Sequence, residues 1–151
     1  MIDLRPATMM DSDKLFAWRN DPVTQACSRS TAPVARADHD RWMKFNVLLG
    51  YPQHIVLIAD SEFGSVGVIR FDINKSDVMD CEVSITVAPE HRGKKVARGI
   101  LQTACSYMDE YTINAEIKPE NAPSRRIFEQ CGFDEISRSS GYLQYRKEPA
   151  R

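Results

Sequence analysis

The sequence is poor in the features that announce a function outright. Its four cysteines, Cys27, Cys81, Cys105 and Cys131, stand far apart, with no Cys-x-x-Cys pair and no histidine at ligand spacing. Neither a zinc site nor a disulfide scaffold is expected, and no metal is assigned. The cysteines read as buried free thiols of a reducing compartment. No apolar run approaches the ~20 residues that span a bilayer. Met1-Ile-Asp-Leu-Arg-Pro6 lacks a basic segment followed by an apolar one, so a cytoplasmic protein without a membrane partner is expected. Charge of neither sign dominates, with 20 Lys and Arg against 21 Asp and Glu; no basic surface announces nucleic acid. Two phosphate-binding signatures are missing as well, Gly-x-x-x-x-Gly-Lys-Ser/Thr and Gly-x-Gly-x-x-Gly, and with them most support for nucleoside triphosphate hydrolysis and nicotinamide chemistry. No repeat, low-complexity tract or linker divides the 151 residues, so a single domain over 1–151 is expected.

What is present is a regular alternation of patterns. Residues 2–7 read as a short strand, and Thr8, three residues before Asp11, caps a helix that carries Leu15, Phe16 and Trp18. That helix should stop near Asn20-Asp21-Pro22. Residues 27–33 read as a loop, and a second helix runs from Val34 or Ala35 to Leu49, burying Trp42, Phe45 and Leu49 before Gly50. Residues 54–59, 66–73 and 78–87 follow as strands joined by short turns, an antiparallel meander. Residues 113–117 form a fifth strand. A helix separates it from the fourth, so the two can run parallel. A last helix starts at Asn121-Ala-Pro-Ser124 and ends at Gly132, and two short strands, 133–136 and 142–146, close the chain.

The most informative stretch is Val87-Ala-Pro-Glu-His-Arg-Gly-Lys-Lys-Val-Ala97. It follows the alternating run 81–87 and opens a segment with apolar residues at Val96, Ile100, Leu101, Ala104 and Met108, the spacing of an amphipathic helix. A strand-to-helix turn of this kind presents unpaired backbone N–H groups and the positive end of the helix dipole. With Arg92, Lys94 and Lys95 beside it, the turn suits a phosphate or pyrophosphate; an ordinary helix start with solvated basic residues is the alternative.

Strand, proline, Arg-Gly-Lys and helix in this order resemble the acyl-CoA pyrophosphate loop of the GNAT superfamily of acetyl-CoA-dependent N-acetyltransferases. The family pattern is Arg or Gln, two residues, Gly, one residue, then Gly or Ala. Arg92 and Ala97 match, and Lys95 stands at the intervening glycine position, where close approach to a phosphate and left-handed backbone angles come less easily to lysine. A second motif lies downstream, in Asn121-Ala-Pro-Ser124-Arg-Arg-Ile127-Phe128-Glu-Gln-Cys-Gly132-Phe133. The resemblance implies a mixed α/β fold with a mostly antiparallel sheet of about six or seven strands, flanked by about four helices and splayed between the fourth and fifth strands. It also implies acetyl-CoA as co-substrate, lying against Ile85, Val87, Arg92, Gly93, Lys94, Lys95, Val96, Ala97, Asn121, Ser124 and Phe128.

Acetyl transfer to an amine needs a proton acceptor, an oxyanion donor and relief for the leaving thiolate. Glu82 is the candidate base, since it shares a strand face with Ser84 and Thr86; a carboxylate on a half-solvated strand face is the alternative. His91 is a weaker candidate. By the resemblance, the Val87 N–H is the oxyanion donor. Where many relatives have a proton-donating tyrosine this chain has Phe128, which leaves Ser124, Tyr142, water or unassisted departure of a thiol with a pKa near ~8.5.

The segment Leu15-Phe-Ala-Trp18-Arg19-Asn20-Asp21-Pro22, with His39-Asp-Arg-Trp42, resembles the GNAT branch that acetylates nucleotide-linked amino sugars in pseudaminic-acid and related surface-polysaccharide pathways. This implies a small-molecule amine as partner, a sugar nucleotide, with Trp18, Arg19, Asn20 and Trp42 as acceptor residues. Arg19 suits a phosphate; aromatic core residues and a surface ion pair are the alternative. Acetylation of ribosomal-protein N-termini or of polyamines, and a non-catalytic acyl-CoA-binding module, are carried as further alternatives, and a homodimer is allowed.

Overall fold

The computed structural model describes residues 1–93 and 95–150. Seven strands, β1 (Asp3–Pro6), β2 (His54–Ser61), β3 (Gly64–Ile73), β4 (Asp80–Val87), β5 (Thr112–Ile117), β6 (Asp134–Ser139) and β7 (Tyr142–Lys147), form one sheet in the order β1-β2-β3-β4-β5-β7-β6. Every neighbouring pair is antiparallel except β4 and β5. Short turns between β2, β3 and β4 allow the meander, whereas the helix between β4 and β5 lets the chain return and start again in the same direction. Among the described residues there are five α-helices, α1 (Ser12–Arg19), α2 (Pro22–Cys27), α3 (Arg36–Trp42), α4 (Val96–Ser106) and α5 (Ala122–Gln130). Among the described residues no helix is long and apolar enough to cross a membrane.

Period-two alternation gives the sheet two apolar faces. On one, Ile69, Phe71, Val83, Ile113 and Ala115 pack with Ile100, Leu101 and Ala104 of α4 and Phe128 of α5. On the other, Ile58 and Val68 pack with Leu15 and Trp18 of α1, Met43 and Ala88. Consecutive residues Ile58 and Ala59 thus serve opposite cores.

The N-terminal half departs from its expected outline in three places. Thr8 does form a capping box with Asp11, but over a short 3₁₀ turn, Met9–Asp11, that leads into α1. A helix that was not expected then follows Asp21. The Asp21 carboxylate accepts from the N–H groups of Val23 and Thr24, Pro22 takes the first helical position, and α2 begins at once, giving a fifth helix and placing Cys27 on its exposed end. The expected helix up to Leu49 is α3 followed by a π-helical turn, Met43–Leu48, in which Leu49 N donates to Lys44 O. A π turn advances the helix face by one residue. Met43 is therefore fully buried, while Phe45 and Leu49, expected in the core, are exposed. Gly50 follows where a Cβ would sit 2.2 Å from the carbonyl oxygen of Asn46, so no side chain fits there.

Candidate active site

The site begins with a backbone feature of β4. At the two ends of the β3–β4 ladder Ala88 N donates to Val66 O (2.8 Å) and Asn74 N to Asp80 O (2.9 Å). Bonded and non-bonded pairs alternate in an antiparallel ladder. The bonded pairs between those ends are therefore Val68 with Thr86, Arg70 with Ser84 and Asp72 with Glu82. Ile85 and Val87 must point their N–H and C=O groups the other way, toward β5. Yet β4 pairs with β5 only over Asp80, Cys81 and Glu82, opposite Thr112, Ile113 and Asn114. Beyond Glu82 the strands part, and the main chain at Ile85 and Val87 faces a gap in the sheet.

Side chains on β4 divide about this gap. Ile85 and Val87 pack toward α4 and α5, whereas Ser84 and Thr86 line a cavity of about 330 Å³ on the opposite face. Its walls are Leu15, Trp18 and Arg19 of α1, Asp38, His39 and Trp42 of α3, and Val56 and Arg70 of the sheet. Three of the four expected acceptor residues, Trp18, Arg19 and Trp42, thus meet at one cavity. Asn20 does not join them: its amide donates to Val34 O (3.1 Å) and accepts from Val34 N (2.7 Å), so it fastens the loop between α2 and α3. Arg70 was not anticipated. It sits opposite Ser84 in register, and only the strand pairing reveals that an arginine 14 residues upstream of Ser84 shares its face. His39 is buried and stays neutral to lower pH than an ordinary histidine, because burial disfavours its charge; its ring is bonded to Ser12.

Glu82 lies two residues before Ser84, on the cavity side of the strand and at the edge of the gap. The residue is exposed at the surface, yet desolvation by the surrounding protein raises its pKa, with further upward pushes from Glu116 and Asp72 that outweigh Arg70 and Arg29. A carboxylate so placed accepts a proton more readily than a free glutamate. The neighbouring Glu116 is bonded to Arg29, whose guanidinium also lies 4.6 Å from the centroid of the Tyr142 ring.

At the far end of β4 the chain enters the loop before α4. Gly93 has φ +77°, and Lys95 is left-handed at φ 60°, ψ 18°. Lysine therefore adopts the backbone geometry for which glycine is the usual choice, at a conformational cost of roughly 1–2 kcal/mol. Lys95 is the N-cap of α4, Val96 and Ala97 open the helix half-buried, and the Lys95 side chain is exposed. Lys94 lies outside the described residues. Arg92, expected to extend toward an anion, instead donates to Asp21 (2.5 Å) and to the hydroxyl of Thr24 (2.9 Å). His91 ends a 3₁₀ turn, half-buried beside Lys95.

On the other bank of the gap, the Asn121 side chain accepts from the Ser124 N–H (3.3 Å) and caps α5, with Ser124 half-buried in the first turn. Phe128 is buried edge-on against Phe133, ring centroids 4.9 Å apart, because the apolar side of α5 turns into the core. α2 bridges the two banks: Asp21 and Thr24 hold Arg92 on the β4 side, and Lys118 after β5 donates to Ala26 O (2.8 Å). No group of three or more His, Cys, Asp or Glu able to hold a metal is found among the described residues.

A mixed sheet that opens between two parallel neighbours, next to a helix N-terminus and a walled cavity, defines the acyltransferase fold that the loop motif implied. The model of the acetyltransferase (GNAT) domain matches residues 2–134, and the chain belongs to that family. The spermidine N(1)-acetyltransferase of Vibrio cholerae is 29% identical over 84 residues, 52% of this chain and 48% of that protein, so the match spans about half of the curated relative. The solved aminoglycoside acetyltransferase AAC(6')-Ib with paromomycin and acetyl-CoA has a TM-score of 0.84 at 15% identity, covering 97% of this chain and 93% of that one. The ribosomal-protein-alanine N-acetyltransferase of Brucella melitensis gives 0.79 at 23% identity, with 97% and 99% covered. At these identities the likeness is one of fold.

Proposed function

We propose that this chain transfers acetyl from acetyl-CoA to the primary amine of a small molecule, a nucleotide-activated amino sugar, by direct attack within a ternary complex. The observation that carries the reading is the unpaired main chain of Ile85 and Val87, which faces the gap in the sheet while the next side chains along the same strand floor the cavity. A thioester laid along that edge is within reach of an amine held by the cavity, and proximity of this kind supplies much of the rate. The aminoglycoside acetyltransferase of the same fold has been solved with acetyl-CoA bound, which supports the same co-substrate here. The left-handed turn at Gly93 and Lys95 and the first N–H groups of α4 suit its pyrophosphate, with Asn121 and Ser124 on the opposite bank.

In this reading the amine loses its proton to Glu82 and its lone pair attacks the thioester carbonyl. The Val87 N–H holds the oxygen as charge builds on it. The C–S bond then breaks and coenzyme A leaves as a thiolate, protonated from the Ser124 side or from water, since Phe128 has no proton to give. Trp18 and Trp42 offer flat walls to a sugar or base. The spermidine relative favours a polyamine acceptor as the second reading, but two guanidinium groups in the cavity wall, Arg19 and Arg70, oppose a polycation.

Incubation with acetyl-CoA and a panel of amines, read by product mass, tests the proposal. Acetylation of UDP-linked 4-amino sugars is the expected result. Acetylation of spermidine or of a basic peptide N-terminus in their place would refute the acceptor, and tight coenzyme A binding with no acceptor turnover would refute the enzyme.

A further inference from the structure

The cavity carries more positive charge than its own carboxylates neutralise. Arg19 stands in the last turn of α1 and Arg70 in the middle of β3, and both line the cavity. Nη2 of Arg19 donates to the carbonyl of Ser30 (3.2 Å), while its Nη1 is fully buried and has no hydrogen-bond partner. Asp38, the one carboxylate in the lining, is paired with Arg41 at 3.1 Å. Burial and the nearby charge of Arg70 both act to weaken the Arg19 cation's hold on its proton. A guanidinium stays charged regardless, so an unanswered cation is held out of water.

Arg70 is fixed for the same task. Its Nε donates to Asp72 (3.0 Å), whose other oxygen is bonded to His54 at 2.6 Å, and its guanidinium lies over Trp42, 5.7 Å from the ring centroid. One edge of the fork is thereby set, leaving the Nη pair for the cavity. We propose that Arg19 and Arg70 form an anion-binding subsite that takes a carboxylate or phosphate of the acceptor, so that the acetylated amine belongs to a molecule carrying such a group. This rests on the acetyl-transfer reading. An oxyanion between the two guanidinium groups offsets the repulsion between the cations and orients the amine relative to the β4 edge. The subsite selects by charge: a neutral analogue leaves that repulsion uncompensated, and a polyamine adds to it.

Amine pairs that differ only in the anion test it: ethanolamine with phosphoethanolamine, 4-aminobutanol with 4-aminobutyrate, glucosamine with glucosamine 6-phosphate, and spermidine as the polycation. Binding to the coenzyme A-saturated protein is read by calorimetry, and turnover separately with acetyl-CoA. The anionic member of at least one pair should bind about tenfold or more tightly than its neutral partner. Arg19→Gln and Arg70→Gln should each abolish that preference, with thermal unfolding as the check on folding. The phosphate and carboxylate arms identify the oxyanion. The subsite is refuted if neutral amines or spermidine bind as well as the anionic ones, if no anionic member binds, or if the variants weaken both members of a pair equally. Anion-dependent binding without turnover refutes the acetyl-transfer reading and leaves the subsite; turnover without charge preference does the reverse.

Discussion

At the residue scale the proposed chemistry turns on Glu82. Its pKa is raised first by burial of its surroundings and then by Glu116 and Asp72. A base works in its deprotonated form, so kcat/KM should rise with pH along an acid limb placed above the ordinary glutamate range. Glu116→Gln removes one upward push and releases Arg29, and both changes move that limb to lower pH. Glu82→Gln should remove the limb and most of the rate; full activity at every pH would show that Glu82 is not the base. Arg92 has a different meaning now that its guanidinium is placed on Asp21 and Thr24. Arg92→Ala should loosen α2 from the loop before α4 and, if acetyl-CoA lies there as proposed, raise the KM for acetyl-CoA. Asp21→Asn should do the same more weakly, and an unchanged KM in both would contradict the link.

Two elements, the free edge of β4 and the loop that ends it, determine what the fold can do. At Lys95 a left-handed backbone is imposed on a residue with a Cβ. Lys95→Gly should therefore be more stable than Lys95→Val by about 1–2 kcal/mol in denaturant unfolding, β-branching being the worst case at positive φ. Equal stability of the two variants would mean that the turn relaxes. Much of this element was legible beforehand. Alternation in 81–87, the apolar spacing from Val96 and the glycine after α5 each follow from a local period or a single conformational requirement. α2 was not, because Asp21-Pro22 ends one helix and caps the next with the same two residues, and a proline reads more readily as a stop than as a start. The π turn also escaped, since a one-residue phase change leaves the apolar spacing plausible and reverses which of Met43, Phe45 and Leu49 are buried. Among the residues that line the cavity, Trp18, Arg19 and Trp42 could be found because they cluster in motif segments. Arg70 could not, because its place there depends on the register between β3 and β4. Asn20 shares those segments yet fastens a loop.

Across the whole molecule, a charge cluster and the cysteines report on integrity. Asp11 is buried and bonded twice by Arg5, which also pairs with Asp60 of β2. The Arg5 hydrogen bonds hold the Asp11 carboxyl below its usual range against the opposing effect of burial. A depressed carboxylate contributes stability that is present above its unfolded pKa of ~3.9 and lost as pH falls through the lower folded value. Asp11→Asn should cost about 1–2 kcal/mol at neutral pH, the half-exposed Arg5 limiting the effect. The difference from the unsubstituted protein should shrink under acid, as followed by unfolding midpoints against pH. Cys81 and Cys105 are buried, with their thiols pushed up to about 12 by desolvation, whereas Cys27 is exposed. Thiol reagents should modify Cys27 in the native protein and reach Cys81 and Cys105 only on unfolding.

The central claim, that acetyl-CoA lies along the unpaired edge of β4, is tested most directly by titrating acetyl-CoA into isotopically labelled protein and following backbone amide resonances. The amides of Ile85 and Val87 should shift strongly, while those of Ser84 and Thr86, bonded to β3, should move little. A uniform response along the strand, or none at Ile85 and Val87, would contradict it.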